Sequence, residues 1–129
     1  MSEPAGGSPA LAKSAGAGVA VVYAGDYVNK MSGQRLEREC RLRLEEGCRA
    51  VVINFRDTEL VNSIGVSILL GIVDVAESRG ARLVFSNLNR HNFKLFELLG
   101  LTRCVALAES EESALATLGE FAARPPAGH

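Results

Sequence analysis

The chain has 129 residues, 47% of them hydrophobic, and a formal net charge of −1 at neutral pH. This size predicts one compact domain, and the low charge without a dense Lys/Arg run argues against nucleic-acid binding, which normally exploits a basic surface. No apolar stretch approaches the roughly 18 residues of a membrane span, and the amino terminus lacks the basic region of a secretory signal, so we expect a cytoplasmic protein without membrane insertion.

The first third of the chain is predicted to hold a tail, a strand and a helix. Residues 1–16 are rich in Ala, Gly, Ser and Pro, and this composition predicts a flexible tail because it offers little apolar surface. Residues 19–24 are the first clear strand, followed by a turn that contains Asp26. A helix is predicted over residues 32–46, and we expect Gly47 to end it. The buried stripe of this helix consists of Leu36, Cys40 and Leu44.

The middle of the chain reads as a buried strand that leads into an apolar helix. Residues 50–55 are a short β-branched run, typical of a strand that is covered on both faces. The next helix is predicted over residues 64–79. Ser63 immediately precedes this helix and is predicted to cap the N–H groups of its first turn. Gly65 is predicted to let another molecule approach the backbone closely.

The last third continues the alternation of strands and helices. A strand, a helix and a short strand are predicted over residues 82–86, 89–99 and 104–107. Ser110 is predicted to cap a final helix, whose buried stripe consists of Leu115, Leu118, Phe121 and Ala122. The folded domain is therefore expected over residues 17–123, with a tail over residues 124–129. Alternating strands and helices predict an α/β sheet with helical crossovers.

The helix over residues 64–79 is apolar on more than one side. At 100° per residue, one arc contains Ile64, Ile68, Leu69, Ile72, Val75 and Ala76. A second apolar strip contains Val66, Leu70 and Val73. A helix that packs on a sheet needs only the first arc, so the strip must contact either a neighbouring helix of the same domain or a partner protein.

The residues that usually carry chemistry are few. The three cysteines, Cys40, Cys48 and Cys104, are widely spaced and form no C-x-x-C pair, so neither a disulfide framework nor a metal site is indicated. We expect inert and mostly buried thiols. His91 and His129 are the only imidazoles, and neither belongs to a recognisable nucleophile–base pair. We therefore expect a protein that is not an enzyme and needs no cofactor.

A family resemblance appears in four short segments, which are Gly25-Asp26-Tyr27, Val61-Asn62-Ser63-Ile64-Gly65-Val66, Arg79-Gly80-Ala81-Arg82-Leu83-Val84-Phe85 and Phe96-Glu97-Leu98-Leu99-Gly100-Leu101. In this order, residues 18–118 resemble the STAS domain of the anti-sigma factor antagonist family. The second segment stands where that family has a loop ending in Asp-Ser-Ser-Gly or Asp-Ser-Thr-Gly. The resemblance implies a STAS-like α/β domain with a mixed sheet of four to five strands and about four helices. Family members often have a strand before the first clear one, and residues 11–18 are the candidate for it.

The resemblance also implies a function and a site. The chain would bind an anti-sigma factor with serine kinase activity and so release a sigma factor, and phosphorylation of Ser63 by that kinase would switch the complex. Two residues depart from the family pattern, because Asn62 replaces the usual Asp and Ile64 replaces a second hydroxyl residue. Asn62 can cap a helix but cannot carry the negative charge of an Asp. The expected partner-binding residues are Asp26, Asn62, Ser63, Ile64, Gly65, Val66, Leu70 and Val73.

Three alternatives remain open from the sequence. The chain could be an unphosphorylated STAS subunit of a transporter or of a stress-sensing complex, in which the same helix is a permanent interface. A receiver domain would need an acidic cluster beside a phosphoacceptor Asp to hold magnesium, whereas only Asp26 follows the first clear strand. A small hydrolase is the enzyme-class alternative. In a purely structural interpretation, Ser63 is only a helix cap.

Overall fold

The computed structural model describes residues 12–15 and 18–123, excluding the side chains of residues 120–123. The strands are β1 Ala12–Ser14, β2 Val19–Tyr23, β3 Tyr27–Val28, β4 Ala50–Asn54, β5 Leu60–Val61, β6 Arg82–Ser86 and β7 Ala106–Ala108. The helices are α1 Lys30–Glu45, α2 Ser63–Ser78, α3 Arg90–Leu98 and α4 Glu111–Ala123, with a short 3-10 helix at Leu101–Arg103. This arrangement confirms the predicted α/β class, with a five-stranded mixed sheet and four helices over the described part of the chain.

The main sheet has the strand order β1-β2-β4-β6-β7. Strand β1 pairs antiparallel with β2, whereas the other neighbours are parallel, as crossover helices require. Every residue of β4 is buried, because helices cover both faces of the sheet. Strands β3 and β5 form a separate two-stranded parallel sheet that the sequence analysis did not predict.

Two apolar clusters fill the two sides of the main sheet. On one side, sheet residues such as Ile53 and Phe85 pack with α1, α2 and α3, and three rings meet edge to face. The rings of this trio are Phe55, Phe85 and Phe96, with centroids 5.0 to 5.8 Å apart. On the other side, β-branched residues of β2, β4 and β6 pack against Ala114 and Leu118 of α4. The first cluster fixes α2, the helix that begins at Ser63.

Helix α1 follows the sequence prediction except at its start. It begins at Lys30 rather than Ser32, because Asn29 is the N-cap and Ser32 completes a reciprocal capping box with it. Its predicted stripe of Leu36, Cys40 and Leu44 is buried. Gly47 follows the helix with a φ of 103°, a conformation that glycine adopts without steric penalty. The predicted stop signal is thus confirmed.

The ends of the domain differ from the sequence prediction. Strand β1 lies inside the segment predicted as a flexible tail, and it falls within residues 11–18, where the extra strand was expected. Strand β7 starts at Ala106 rather than residue 104, because the N–H groups of Cys104 and Val105 still bond to the carbonyl of Leu101 in the preceding turn. Residues 1–11, 16–17 and 124–129 lie outside the described part of the chain.

The final helix and the cysteines show further differences. In α4, Ala114 and Leu118 are buried and Leu115 is partly buried, while the predicted contributions of Phe121 and Ala122 lie outside the described side chains.

Cys40 is buried as expected and Cys48 is partly buried, but Cys104 is exposed, so the prediction of a mostly buried thiol was wrong there. No helix among the residues described is long and apolar enough to cross a membrane.

Candidate functional site

Helix α2 begins with Asn62 as its N-cap and Ser63 as its first helical residue. The Asn62 side chain accepts a hydrogen bond from the Gly65 N–H at 2.8 Å, so Asn62 performs the capping that the sequence analysis assigned to Ser63. The side chain of Ser63 is exposed and has no hydrogen-bond partner among residues 12–15 and 18–123. A hydroxyl that is not used for capping remains available to another molecule.

The first turn of α2 provides an electropositive surrounding for that hydroxyl. The first intrahelical bond runs from the Val66 N–H to the Asn62 carbonyl at 2.9 Å. The N–H groups of Ser63 and Ile64 come before this bond in the chain and therefore have no carbonyl of the helix to bond to. The first turn contains no acidic side chain. An anion attached at Ser63 would therefore lie at the positive end of the helix dipole without a nearby carboxylate of the same turn.

Gly65 is buried, and its neighbour is the protein itself rather than a ligand. A Cβ at this position would collide with the backbone carbonyl oxygen of Val28 in β3. The same carbonyl accepts the N–H of Asn62 at 3.0 Å. The prediction that Gly65 allows another molecule to approach was therefore wrong. Its lack of a side chain instead lets β3 approach the start of α2.

The apolar strip predicted on α2 is only partly free. Val66 and Val73 are 7% and 5% exposed and belong to the main core, so the domain itself covers these two predicted partner-binding residues. Leu70 is 41% exposed, and Ile64, which was predicted both in the first arc and as a partner-binding residue, is 49% exposed. The helix is rotated about its axis relative to the predicted arcs.

The neighbouring helix α1 contacts another side of α2. Ile68 of α2 lies so close to Gly33 of α1 that a Cβ on Gly33 would be 2.8 Å from the Ile68 Cδ1 atom. Helix α1 thus packs against the side of α2 on which Ile68 lies, whereas Ile64 remains 49% exposed. The buried arc is left to Gly65, Val66, Leu69, Ile72, Val73 and Ala76.

The two-stranded sheet adds exposed apolar residues beside this helix start. Tyr27 and Leu60 are paired in register and both are exposed, whereas Val28 and Val61 point into the core. An open hollow of about 270 Å³ is lined by Asp26, Tyr27, Glu59 and Leu60. Strand β5 continues through Asn62 into α2, so this sheet lies at the Ser63 end of the domain. We call the exposed group Asp26, Tyr27, Leu60, Ser63, Ile64 and Leu70 the Ser63 surface.

Tyr27 and Leu60 are the members of the Ser63 surface that the sequence analysis missed. Each lies in a strand of only two residues, which is too short to show the alternation that identifies a half-buried strand. The only available signal was an apolar residue beside an acidic one in each segment, Asp26 before Tyr27 and Glu59 before Leu60. Within the ranges that the structure describes, no group of three or more His, Cys, Asp or Glu residues could hold a metal ion.

Comparison with known proteins gives consistent matches. The family model described as "Mlab, STAS domain" matches residues 12–109 of the chain. BtrV of Bordetella bronchiseptica, named as a candidate anti-sigma factor antagonist, is 27% identical over 89 residues, which are 69% of this chain and 77% of BtrV. The match to the family model covers the seven strands and the first three helices of the described part of the chain.

Solved structures share the fold at low sequence identity. The anti-sigma factor antagonist SpoIIAA from Bacillus, in its unphosphorylated form, gives a TM-score of 0.70 at 18% identity, over 84% of this chain and 95% of SpoIIAA. A sulfate transporter family protein from Wolinella succinogenes gives a TM-score of 0.74 at 17% identity, over 81% of this chain and 87% of that protein. At these identities the structures establish similarity of fold alone.

Proposed function

The chain belongs to the STAS domain family and is similar to anti-sigma factor antagonists, and we propose that it acts as such an antagonist. In this role it binds an anti-sigma factor that is also a serine kinase, and the sigma factor is released. Phosphorylation of Ser63 by that kinase then ends the complex. The observation that carries the proposal is the exposed hydroxyl of Ser63 at the start of α2, with the exposed apolar residues of the Ser63 surface around it.

The chain is the substrate in the phosphorylation step. The Ser63 Oγ atom attacks the γ-phosphorus of ATP bound to the partner, and the new Oγ–P bond forms as the bond to the bridging oxygen of ADP breaks. The hydroxyl proton passes to a base on the kinase, because Asn62 has no carboxylate to receive it. After transfer, the phosphate lies at the positive end of α2, so the domain can hold it without refolding.

The effect on binding follows from desolvation. A phosphoserine adds about −1.5 to −2 charges at neutral pH. An interface that covers Tyr27, Leu60 and Ile64 would remove water from that charge, and an unpaired buried charge weakens association. A loss of only about 1.4 kcal/mol of binding free energy lowers the affinity tenfold, so one phosphate is sufficient for a switch.

The proposal is tested by mapping the phosphorylated residue after incubation with an anti-sigma factor kinase and ATP-Mg²⁺. Trypsin cleaves after Arg56 and Arg79 and at no residue between them, so one peptide contains both Ser63 and Ser67. Fragment-ion mass spectrometry separates the two sites. Ser67 is exposed one turn further along α2, which makes Ser67→Ala the matched control for Ser63→Ala.

The proposal predicts phosphate on Ser63 in the unaltered protein and in Ser67→Ala, and none in Ser63→Ala. Phosphate on Ser67, or continued labelling of Ser63→Ala, would refute the assigned site.

A second function is favoured by a specific observation at the same position. The first turn of α2 has no acidic residue, and the N-cap is Asn62 rather than the Asp of the antagonist pattern. An unphosphorylated STAS subunit of a transporter or stress-sensing complex would use the Ser63 surface as a permanent interface, and the fold of the Wolinella protein is compatible with this function. A stable complex of this chain with a transporter or with a component of a stress-sensing complex, in which a kinase leaves Ser63 unmodified, would support the second function over the first.

A further inference from the structure

Thr58 is a buried polar residue in the loop between β4 and β5, and only 2% of its surface is exposed. Its hydroxyl donates to the carbonyl of Gly25, and its N–H donates to the carbonyl of Phe55 at 2.9 Å. Its carbonyl accepts from the side-chain amides of Asn89 at 3.2 Å and Asn92 at 3.0 Å. Thr58 therefore joins its own loop to the turn after β2 and to the start of α3.

The residues that follow Thr58 are bonded to the same turn and to strand β3, and they lead directly to Ser63. The Glu59 N–H donates to the carbonyl of Asp26 at 2.8 Å, and the Asn62 N–H donates to the carbonyl of Val28 at 3.0 Å. Together with the bond from the Thr58 hydroxyl, the segment is attached at three successive points. The next residue, Ser63, begins α2.

Hydrogen bonds also fix the start of α3, the other end of this connection. Asn89 caps α3 by accepting the Asn92 N–H at 2.7 Å, while the Asn92 side chain is fully buried and directed at Thr58. No local sequence pattern links these residues to Ser63. A buried polar group that loses its partner retains the full penalty of desolvation, so the loop has little freedom to adopt another arrangement while the domain is folded.

We propose that Thr58 is the positioning residue for Ser63. It contacts neither ATP nor the kinase, and it acts through the backbone of residues 59–62, which it holds against the turn at Gly25. Phosphoryl transfer depends strongly on the placement of the attacking oxygen, so a loop that is free to move would present Ser63 less often in the reactive position. This proposal deepens the proposed function and rests on it for the consequence of the positioning.

The positioning role can be measured without the kinase, by amide hydrogen exchange of the full chain. Thr58→Val preserves the shape of the side chain and removes the hydroxyl donor, whereas Thr58→Ser preserves the donor. Thr117→Val is the matched control, because the Thr117 hydroxyl also donates to a backbone carbonyl, that of Ser113, but in α4.

We expect Thr58→Val to accelerate exchange at the Glu59 and Asn62 amides at least about fivefold, the factor that loss of one hydrogen bond produces. The amides of β4 should change less, and both Thr58→Ser and Thr117→Val should leave the Glu59 and Asn62 rates close to those of the unaltered protein. Unchanged rates at Glu59 and Asn62 in Thr58→Val would overturn the proposal, as would an equal acceleration throughout β4.

With an anti-sigma factor kinase, a kinetic consequence follows. Thr58→Val should lower kcat for Ser63 phosphorylation while leaving KM for ATP unchanged, and Thr58→Ser should restore kcat. An unchanged kcat would overturn the positioning role. If the unaltered protein receives no phosphate but the exchange result holds, the proposed function fails while the fixation of the loop by Thr58 stands.

Discussion

Gly65 in α2 lies directly against the backbone carbonyl of Val28 in β3. This contact brings the two-stranded sheet to the start of the helix that presents Ser63, and it leaves no space for a Cβ. The glycine of the Ser63 segment is thus required by the internal packing of the domain. The domain would require a glycine at this position whether or not a partner binds.

Replacement of Gly65 by Ala is expected to destabilise the fold by about 1–3 kcal/mol, the range for overpacking a tight site. Gly71 is the matched control in the same helix, because a Cβ there would lie 3.7 Å from the Glu37 Oε2 atom, an ordinary contact. Gly71→Ala should therefore stabilise the protein by up to about 1 kcal/mol through its better helix propensity. Urea denaturation measures both changes, and equal effects of the two substitutions would contradict the close contact with Val28.

The cap of α2 gives a second prediction. Asn62→Ala removes the acceptor of the Gly65 N–H and should lower the free energy of unfolding by about 1 kcal/mol. Asn62→Asp keeps the acceptor and adds a negative charge at the helix start. It should therefore raise the free energy of unfolding by about 0.3–1 kcal/mol at neutral pH and low salt. Denaturation curves with equal stability for Asn62→Ala and the unaltered protein would show that Asn62 is not the cap.

Glu111 connects α4 to three strands and makes stability depend on pH. Its carboxylate accepts from Tyr23 at 3.0 Å and Asn54 at 2.9 Å and pairs with Lys13 at 2.8 Å. Partial burial alone would raise the pKa of Glu111, but the hydrogen bonds from Lys13, Tyr23 and Asn54 outweigh it and hold the pKa below its ordinary value of 4.5. A depressed pKa in the folded state means that the stabilisation is present above 4.5 and is lost as the pH falls through the folded pKa.

We therefore expect Glu111→Gln to lower the free energy of unfolding by about 1 kcal/mol at neutral pH, where the charged acceptor is lost. The difference from the unaltered protein should shrink as the pH falls below 4.5. Glu112→Gln is the control, because Glu112 is exposed in the same turn. Urea denaturation across this pH range tests the prediction, and a difference that stays constant or grows at acidic pH would contradict it.

The cysteines are predicted to differ in reactivity. Burial raises the pKa of the Cys40 thiol to about 12, with a further contribution from the nearby Glu39 and Glu37 carboxylates, whereas Cys104 is exposed. A thiol-specific reagent at neutral pH should label Cys104 in the native protein, and Cys40 only after denaturation. Mass spectrometry of native and denatured samples measures the difference. Equal labelling of Cys40 and Cys104 before denaturation would show that the core around α1 is open.

The sequence predicted the elements that carry strong local signals. The stripe of α1, a strand over residues 50–55 and a helix over residues 64–79 were all predicted, and the structure has them within one residue at each end. Each has a clear apolar period or a clear start signal. The rotation of α2 was not predictable, since apolar residues lie on several sides and only the position of α1 decides which side is buried. This is why Val66 and Val73 were assigned to a partner although they belong to the core.

The remaining differences arise where contacts are distant along the chain. Strands β3 and β5 have two residues each, and only their pairing with one another defines them. Strand β1 lies in a segment of tail-like composition, but it pairs with the edge of β2. The role of Thr58 depends on contacts with Gly25, Asn89 and Asn92, which a local sequence pattern does not reveal.

In the proposed function, phosphate at Ser63 controls binding to the anti-sigma factor. Titration calorimetry with the chain before and after phosphorylation tests it most directly, and Ser67→Asp, which places a charge one turn further along α2, is the control. We predict that phosphorylation at Ser63 raises the Kd at least about tenfold, equivalent to a loss of about 1.4 kcal/mol of binding free energy. Ser67→Asp should raise the Kd less. Equal affinity of the anti-sigma factor for the phosphorylated and unphosphorylated chain would show that phosphate at Ser63 does not control binding.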